Sequence, residues 1–471
     1  MSLRDPDKQV VGATRELAHS PRLVVSGIGQ IFRYANDMID EHKISRRAVL
    51  AGVPAAVAIS LADGAKSRAL EVGQRPKIAA LVTEVRTLSH GEVILDRLLE
   101  GFGWESAHHR PAVDLVSLYV DQFPPGDLSR ERAARFSSLK IYPTIAEALC
   151  RGTDRLAVDG VVIIGEHGDY KRNEKGQTLY PRYEFFRQTV DVFRRDGRAV
   201  PVFNDKHLSW NWDWAREMVD TAASLNFPFW AGSSLPVTWR IPSVEMPLGA
   251  EIEEVLSIGN GNVDSYDFHA LETIQCFVER RRGGEQGVKR IEALRGPAVW
   301  QAMKKNDWAG GGWDPKLFEA CLCRSHELAP AREGFNHIYP TAADIERMVA
   351  DPVAYRFEYV DGLKATMLLL NGLVGDITFA ARLKGQAEPL STLMYLGGSH
   401  GTQPHNFDAL VWHIEQFIIS GNPPAPVERT LLTTGLVAAG VESLARGSQP
   451  IDTPHLAIRY RPNPNSTFRR A

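Results

Sequence analysis

From Lys77 onward the chain alternates short apolar runs with longer amphipathic ones. Ile78–Val82, Leu115–Val120, Val161–Ile164, Val200–Phe203 and Phe227–Ala231 are nearly continuous apolar runs, which predicts strands covered on both faces in a parallel sheet. Helical patterns fall between them. In Gly91–Leu99, Val93, Ile94 and Leu98 share a side; Tyr183–Arg194 forms a second. A third opens at Ser209 as cap and carries Trp210, Trp214, Met218 and Leu225 at helical spacing, until Asn226 and Pro228 end it. This alternation predicts a doubly wound sheet with right-handed crossovers, whose ligand lies beyond the carboxyl ends of the strands.

After about Pro236 the rhythm changes. "AYRFEYVDGLKATMLLLNGLVGDITFAARLKG" predicts three strands joined by turns at Asp361-Gly362 and Asn371-Gly372, both hairpin signals. "PLSTLMYLGG" adds a strand, and Ala409–Ile419 and Val427–Leu444 are helical. The Trp- and Gly-rich "AMKKNDWAGGGWDP" predicts an exposed loop. The fold class is α/β: an N-terminal Rossmann-like doubly wound parallel sheet (residues 76–235), then a C-terminal α+β domain with a mostly antiparallel sheet (236–471). Residues 1–75 form a leader.

In the leader, Arg46 and Arg47 directly precede an apolar run from Ala48 to Ala62. Fifteen residues are too few to cross a bilayer core, which takes about 20. Ser-Arg-Arg-x-Val-Leu resembles the twin-arginine (Tat) export signal of bacteria. The other reading is a buried helix with a basic start. Forty-four residues before Ser45 make a long charged region; a start at Met38 gives an ordinary one, and Asp63-Gly64-Ala65 is a weak cleavage candidate. The expected location is periplasmic or extracytoplasmic, with no membrane span in the mature chain.

Composition excludes more than it assigns. Charged residues make up 24 % of the chain and the formal net charge is −3, so nothing draws the protein toward nucleic acid. Cys150, Cys276, Cys321 and Cys323 form no CxxC pair, which argues against a zinc site or a disulfide framework. Ten tryptophans suit either sugar stacking or core packing, and core packing is favoured.

The first strand leads into Thr83-Glu84-Val85-Arg86-Thr87-Leu88-Ser89-His90, with no glycine before Gly91. A dinucleotide site usually has glycines there, for a tight turn and for backbone approach to the pyrophosphate. Gly165-Glu166-His167-Gly168-Asp169-Tyr170 should lie in the ligand crevice. So dense a set of Glu, His and Asp suits polar recognition or a hard metal, although the spacing matches no standard metal motif. A plain polar loop is the alternative.

Phe203-Asn204-Asp205-Lys206-His207 and Asp264-Ser-Tyr-Asp267-Phe-His269-Ala-Leu-Glu272 resemble two motifs of the Gfo/Idh/MocA family of sugar and polyol oxidoreductases. One is Glu-Lys-Pro at the end of the fifth strand. The other is an acid followed by His-x-x-Asp on a helix of the second domain. Here the proline is missing and Glu272 stands for the final Asp. "PAPVERTLLTTGLVAAGVESLARGSQPID" is similar to the closing helix of that family, so the resemblance runs from Lys77 to the C-terminus. It implies Lys206 and His269 as catalytic residues, with Glu272 and Asp267 toward the substrate; Glu166, His167 and Asp169 are expected to join them there from the crevice loop. It implies NAD or NADP as cofactor, with Thr83, Arg86, His90 and Asp121 as its contacts. Asp121 would meet the ribose and favour NAD; its alternative is a turn acid. Lys206 salt-bridged to Asp205, and His269 as a structural histidine, are the plain readings of the same residues.

Three functions stay open: an exported NAD(P)-dependent oxidoreductase acting on a sugar or polyol hydroxyl, which is favoured; a carbohydrate lyase or hydrolase that has lost dinucleotide binding and works by acid/base chemistry or a divalent metal; and a non-catalytic carbohydrate-binding protein. The expected partners are a small carbohydrate, the Tat machinery and a second copy of the chain through the C-terminal sheet.

Overall fold

A computed structural model describes residues 74–334, 338–397 and 404–470; Arg46-Arg47 and the rest of the leader signal lie outside them. The first half runs β1 (Lys77–Val82), α1 (His90–Glu100), a hairpin of β2 (Phe102–Trp104) and β3 (Ala107–His109), β4 (Asp114–Val120), α2 (Ser129–Arg135), β5 (Lys140–Tyr142) and α3 (Ile145–Cys150). It continues with β6 (Gly160–Ile164), α4 (Arg182–Asp196), β7 (Val202–Asp205), α5 (Trp212–Ser224) and β8 (Phe229–Gly232).

Six of these strands form one parallel sheet in the order β5-β4-β1-β6-β7-β8. The order reverses between β1 and β6, and the crevice at such a switch point is where doubly wound sheets take ligands. Five strands were readable as apolar runs. The sixth, β5, is a three-residue edge strand with only Tyr142 buried, so it carries no run to read. Helix α5 is capped by Asn211, whose side chain accepts from the Trp214 amide. Ser209 lies two residues before that cap, and its hydroxyl accepts from Asn211 N.

The second half runs β9 (Arg240–Ile241), β10 (Ile252–Gly259), α6 (Tyr266–Val278), β11 (Val288–Arg295), α7 (Pro297–Met303), α8 (Pro315–Arg324) and α9 (Ala342–Met348). Then come β12 (Val353–Tyr359), β13 (Lys364–Leu369), β14 (Ile377–Leu383), β15 (Leu390–Met394), α10 (Asn406–Ser420), α11 (Val427–Ala445) and β16 (Ile451–Asp452). Eight strands pair in the order β16-β11-β12-β13-β10-β14-β15-β9, antiparallel except at β10 with β13. The Asp361-Gly362 hairpin is present, with Glu358 opposite Lys364. Asn371-Gly372 closes no hairpin, because the buried strand β10 inserts between β13 and β14. The Trp- and Gly-rich stretch is less exposed than its composition suggests: Trp313 is buried, and Arg356 stacks over Trp308 at 4.3 Å.

Helix α6 sits where the two sheets meet. Every residue from Asp267 to Val278 is buried, and Phe277 stacks on Phe379 of β14 at 4.2 Å. This helix brings a second-domain side chain to the carboxyl edge of the parallel sheet.

Candidate active site

Strand β7 ends in three buried polar residues, Asn204, Asp205 and Lys206. Lys206 has φ +70°, the left-handed region that costs a non-glycine residue about 1 kcal/mol or more. Its amide donates to Gly232 O at 3.0 Å, which fixes the turn. Neighbouring residues then go to different partners. Asp205 Oδ2 meets His90 Nδ1 at 2.6 Å, at the start of α1. Lys206 Nζ donates to His269 Nε2 on α6 at 2.5 Å.

Glu166 follows β6. Its carboxylate accepts from Arg182 Nη2 at 2.5 Å and stands 3.8 Å from Lys206 Nζ. Arg182 is fully buried beneath the strand end; a Cβ on Gly165 would come within 2.5 Å of its side chain, so only glycine fits there. His167 Nδ1 lies 3.4 Å from Arg86 Nη2, and its ring is 5.7 Å from that of His90.

These groups face a cleft of about 300 Å³, at the small end for ligand sites. Leu88, His90 and Val93 line it from the β1 side, and Glu166, His167 and Lys206 from the β6 and β7 ends. Ser265, Tyr266 and His269 close it from α6, with Ile377, Leu396, Asn406 and Phe407 beyond. Tyr266 is 43 % exposed and lies 5.7 Å from Lys206 Nζ and 5.6 Å from the His269 ring.

Burial, followed by the positive charge of Lys206, holds His90 and His269 well below the ordinary imidazole range; both are neutral at physiological pH. His207 is lowered by burial, then by Arg182 and Lys206. Burial pushes Asp205 up to about 6. For Glu166 burial also pushes upward, but Lys206 and Arg182 outweigh it and the net shift is downward.

The structure brings together five residues singled out in the sequence: Lys206, His269, Glu166, His167 and His90. Others are used elsewhere. Asp267 accepts from the Ser265 and Phe268 amides and from Tyr355 OH, so it fastens the start of α6. Glu272 accepts from Thr433 on α11 at 2.7 Å and presses on Gly232, where a Cβ would meet its Oε2 at 2.8 Å. Neither lines the cleft. Thr83 is fully buried and donates to Glu166 O at 2.6 Å. Asp121 accepts from Tyr119 and Tyr170 hydroxyls at 2.7 and 2.6 Å. Asp169 engages Gln122 through its backbone in both directions. Arg86 pairs with Glu84 at 2.5 Å. Sequence reasoning passed over Tyr266, Asn406, Phe407 and the Arg182 anchor. An arginine, an asparagine or an aromatic residue at a helix start ordinarily reads as surface or core, so nothing local distinguishes them.

The dinucleotide that the family resemblance implies would lie along this edge. Two cleft-lining residues, His269 and His167, each keep a buried nitrogen without a protein partner, whereas Asp205 and Arg182, which also hold unpartnered atoms, lie behind the lining. The diphosphate end is built differently. Ser89 caps α1 and accepts from Glu92 N, while the Glu92 carboxylate accepts from Leu88 N, so a negative charge already serves the helix start. Gly91 is the one glycine the turn requires, because a Cβ there would strike Glu84 O at 2.4 Å. Arg86, 44 % exposed, is the cation left at this end. Among the described residues, no three or more His, Cys, Asp or Glu are arranged to hold a metal ion, so the divalent-metal alternative finds no ligand set there. No helix among them is long and apolar enough to cross a membrane.

No protein-family model matches the chain, and no curated protein matches its sequence. Solved structures of similar architecture include GenD2 from gentamicin A biosynthesis in complex with NAD, at 13 % identity and TM-score 0.49, covering 83 % of this chain and 99 % of that one. Myo-inositol dehydrogenase from Lactobacillus casei, in complex with NAD(H) and myo-inositol, is 10 % identical with TM-score 0.47, covering 84 % and 100 %. Myo-inositol 2-dehydrogenase from Lactobacillus plantarum is 12 % identical with TM-score 0.48, covering 80 % and 99 %. At these values the likeness is one of chain path alone.

Proposed function

We propose that the chain is a Gfo/Idh/MocA-type oxidoreductase acting on a hydroxyl of a small sugar or polyol. The observation that carries this reading is the Lys206–His269 contact of 2.5 Å in a cleft at the sheet's switch point. NAD or NADP, when bound, would supply the hydride acceptor, with Arg86 the residue available to its diphosphate. The chain's own residues handle the proton and the charge. Lys206 Nζ stabilises the alkoxide that forms as the substrate hydroxyl ionises, the kind of preorganised charge that lowers such barriers. The Lys206–His269 pair takes the hydroxyl proton and returns it in the reverse direction. Arg182 holds Glu166 in place, and Glu166 in turn steadies Lys206. Tyr266 and Phe407 give the sugar ring apolar faces, while Asn406 and Ser234, bonded to each other at 2.8 Å, brace the far wall of the cleft.

Export by the Tat route, with Arg46-Arg47 as its signal, is part of the same proposal, as are a periplasmic location and a homo-oligomer through the C-terminal sheet. Tat export suits an enzyme that loads its cofactor before leaving the cytoplasm. The test is to denature protein purified from its own host and analyse the supernatant by mass spectrometry. NAD or NADP near one per chain, and oxidation of cyclic polyols with that nucleotide, is the expected result. Absence of nucleotide, of fold stabilisation by added NAD(H) or NADP(H), and of turnover overturns the reading.

A further inference from the structure

The cleft holds two histidines in opposite company. His269 accepts from Lys206 through Nε2, so that nitrogen is occupied by a donor. His90 turns Nδ1 to the Asp205 carboxylate at 2.6 Å. A carboxylate accepts only, so this contact places the proton on Nδ1 and leaves Nε2 as a lone-pair acceptor. His90 Nε2 has no hydrogen-bond partner within the described residues, and His90 lines the cleft. Phe407 packs edge-on at 4.8 Å and fixes the ring. Asp205 is itself almost wholly buried, and its second oxygen is unpartnered, so the pair cannot swing away to solvent. A buried carboxylate orienting an imidazole whose other nitrogen faces a ligand space is the arrangement of a general base.

We infer that His90, positioned by Asp205, is a second catalytic base of this cleft, and that with Lys206 it gives the protein a nucleotide-independent activity: proton abstraction from the carbon beside the carbonyl of a small hydroxy-ketone. The inference rests on the reading that the cleft takes sugar- or polyol-sized molecules. The step is balanced within the site. The C–H bond breaks and its proton goes to His90 Nε2. The released pair forms a carbon–carbon double bond, and the carbonyl pair moves onto oxygen. That oxygen takes a proton from Lys206 Nζ, giving an enediol. His90 then returns its proton to carbon while an enediol hydroxyl returns its proton to Lys206 Nζ, which regenerates the ketone or, by protonation at the neighbouring carbon, its isomer, with no oxidant or reductant.

The experiment follows deuterium entering the carbon beside the carbonyl, by NMR, in D₂O. The probes are dihydroxyacetone and a cyclic polyhydroxy ketone, each incubated with the full chain stripped of nucleotide. The expected result is exchange above the buffer rate, falling at least roughly 10²-fold in His90→Gln. Asp205→Asn should also slow exchange and should shift its pH profile, which a merely structural role would not do. If His90→Gln does not fold, Asp205→Asn decides. Exchange by neither ketone, or wild-type exchange in folded His90→Gln, overturns the inference. Nucleotide-dependent polyol oxidation is read in parallel. Oxidation without exchange overturns this inference alone, and exchange without oxidation supports it.

Discussion

The two ends of the parallel sheet's carboxyl edge are built in opposite ways. Around β7 and α6, His269 Nδ1, His207 Nδ1, Asp205 Oδ1, Asn204 Oδ1 and two nitrogens of Arg182 are buried without protein partners. Around β1 and β4, the polar groups satisfy one another: Thr83 with Glu166 O, Glu84 with Arg86, Asp121 with two tyrosines, and Gln122 with Asp169. Each unsatisfied buried group costs about 1–3 kcal/mol, and native structures hold few of them. The first end therefore keeps polar groups unpaired, and of their owners His269 lines the cleft. The second is finished from within. One sheet edge thus leaves polar groups unpaired at one end and bonds them to one another at the other.

The sharpest way to break this contrast is at the reactive end. Lys206→Met and His269→Gln should each lower kcat on a polyol by roughly 10²–10⁴-fold, the range for positioned acid/base groups. Because the two side chains touch, the double variant should lose little more than either single one; residues acting as a unit are far from additive. Steady-state kinetics on the four proteins measures this. Full turnover in either single variant would remove the pair from the chemistry.

How much of this was legible follows from what each residue touches. The parallel strands were readable because both faces are covered, which writes apolar runs such as Val161–Ile164. Strand β5 was not, because an edge strand of three residues need bury only Tyr142. The insertion of β10 between β13 and β14 was not readable either: local turn chemistry at Asn371-Gly372 says nothing about a strand arriving from far earlier in the chain. Lys206 and His269 were found through motif spacing. Glu272 was grouped with His269 through the family motif, and residues three apart do share a helix side. Helix α6 is buried all round, so one turn separates a neighbour in the cleft from a neighbour on α11. Asp121 is an acid at the position expected for a ribose contact, but Tyr170 reaches it from a strap 49 residues away, a contact no local pattern encodes.

That strap, residues 165–181, is fastened on its far side by Asp264. The Asp264 carboxylate accepts from Gln177 Nε2 and Thr178 N, both at 3.1 Å. Burial, and then the neighbouring Asp267, push Asp264 up to about 7, against about 3.9 in an unfolded chain. A raised carboxyl means that the folded state keeps a proton the unfolded state releases. Its contribution is complete below pH about 4 and is lost as pH rises through about 7. Asp264→Asn should therefore flatten the fall in stability across this window, by on the order of 2 kcal/mol. Asparagine also tolerates the left-handed backbone at this position, where φ is +67°. Urea midpoints at pH 5, 6, 7 and 8 read the effect. Parallel curves for variant and wild type would show that Asp264 is ionised throughout.

The smallest effect probes the closed end itself. Arg86 pairs with buried Glu84 while its own side chain is 44 % exposed, and ion pairs open to water contribute about 0–1 kcal/mol. Arg86→Ala should thus leave the denaturation midpoint almost unchanged. Its effect on nucleotide discriminates. If the diphosphate of a dinucleotide rests on this end, Arg86 is the cation that meets it, and its loss exposes the Glu84 carboxylate to the same phosphates. Losing one charge-assisted contact then weakens NAD(H) binding by about tenfold, or roughly 1.4 kcal/mol. Isothermal titration on both proteins, at two salt concentrations, measures this, and screening should shrink the difference as salt rises. Equal affinities would mean that the self-bonded end takes no part in binding the nucleotide. The contrast between the two ends would then be complete, with ligand bonding confined to the cleft at Lys206 and His269.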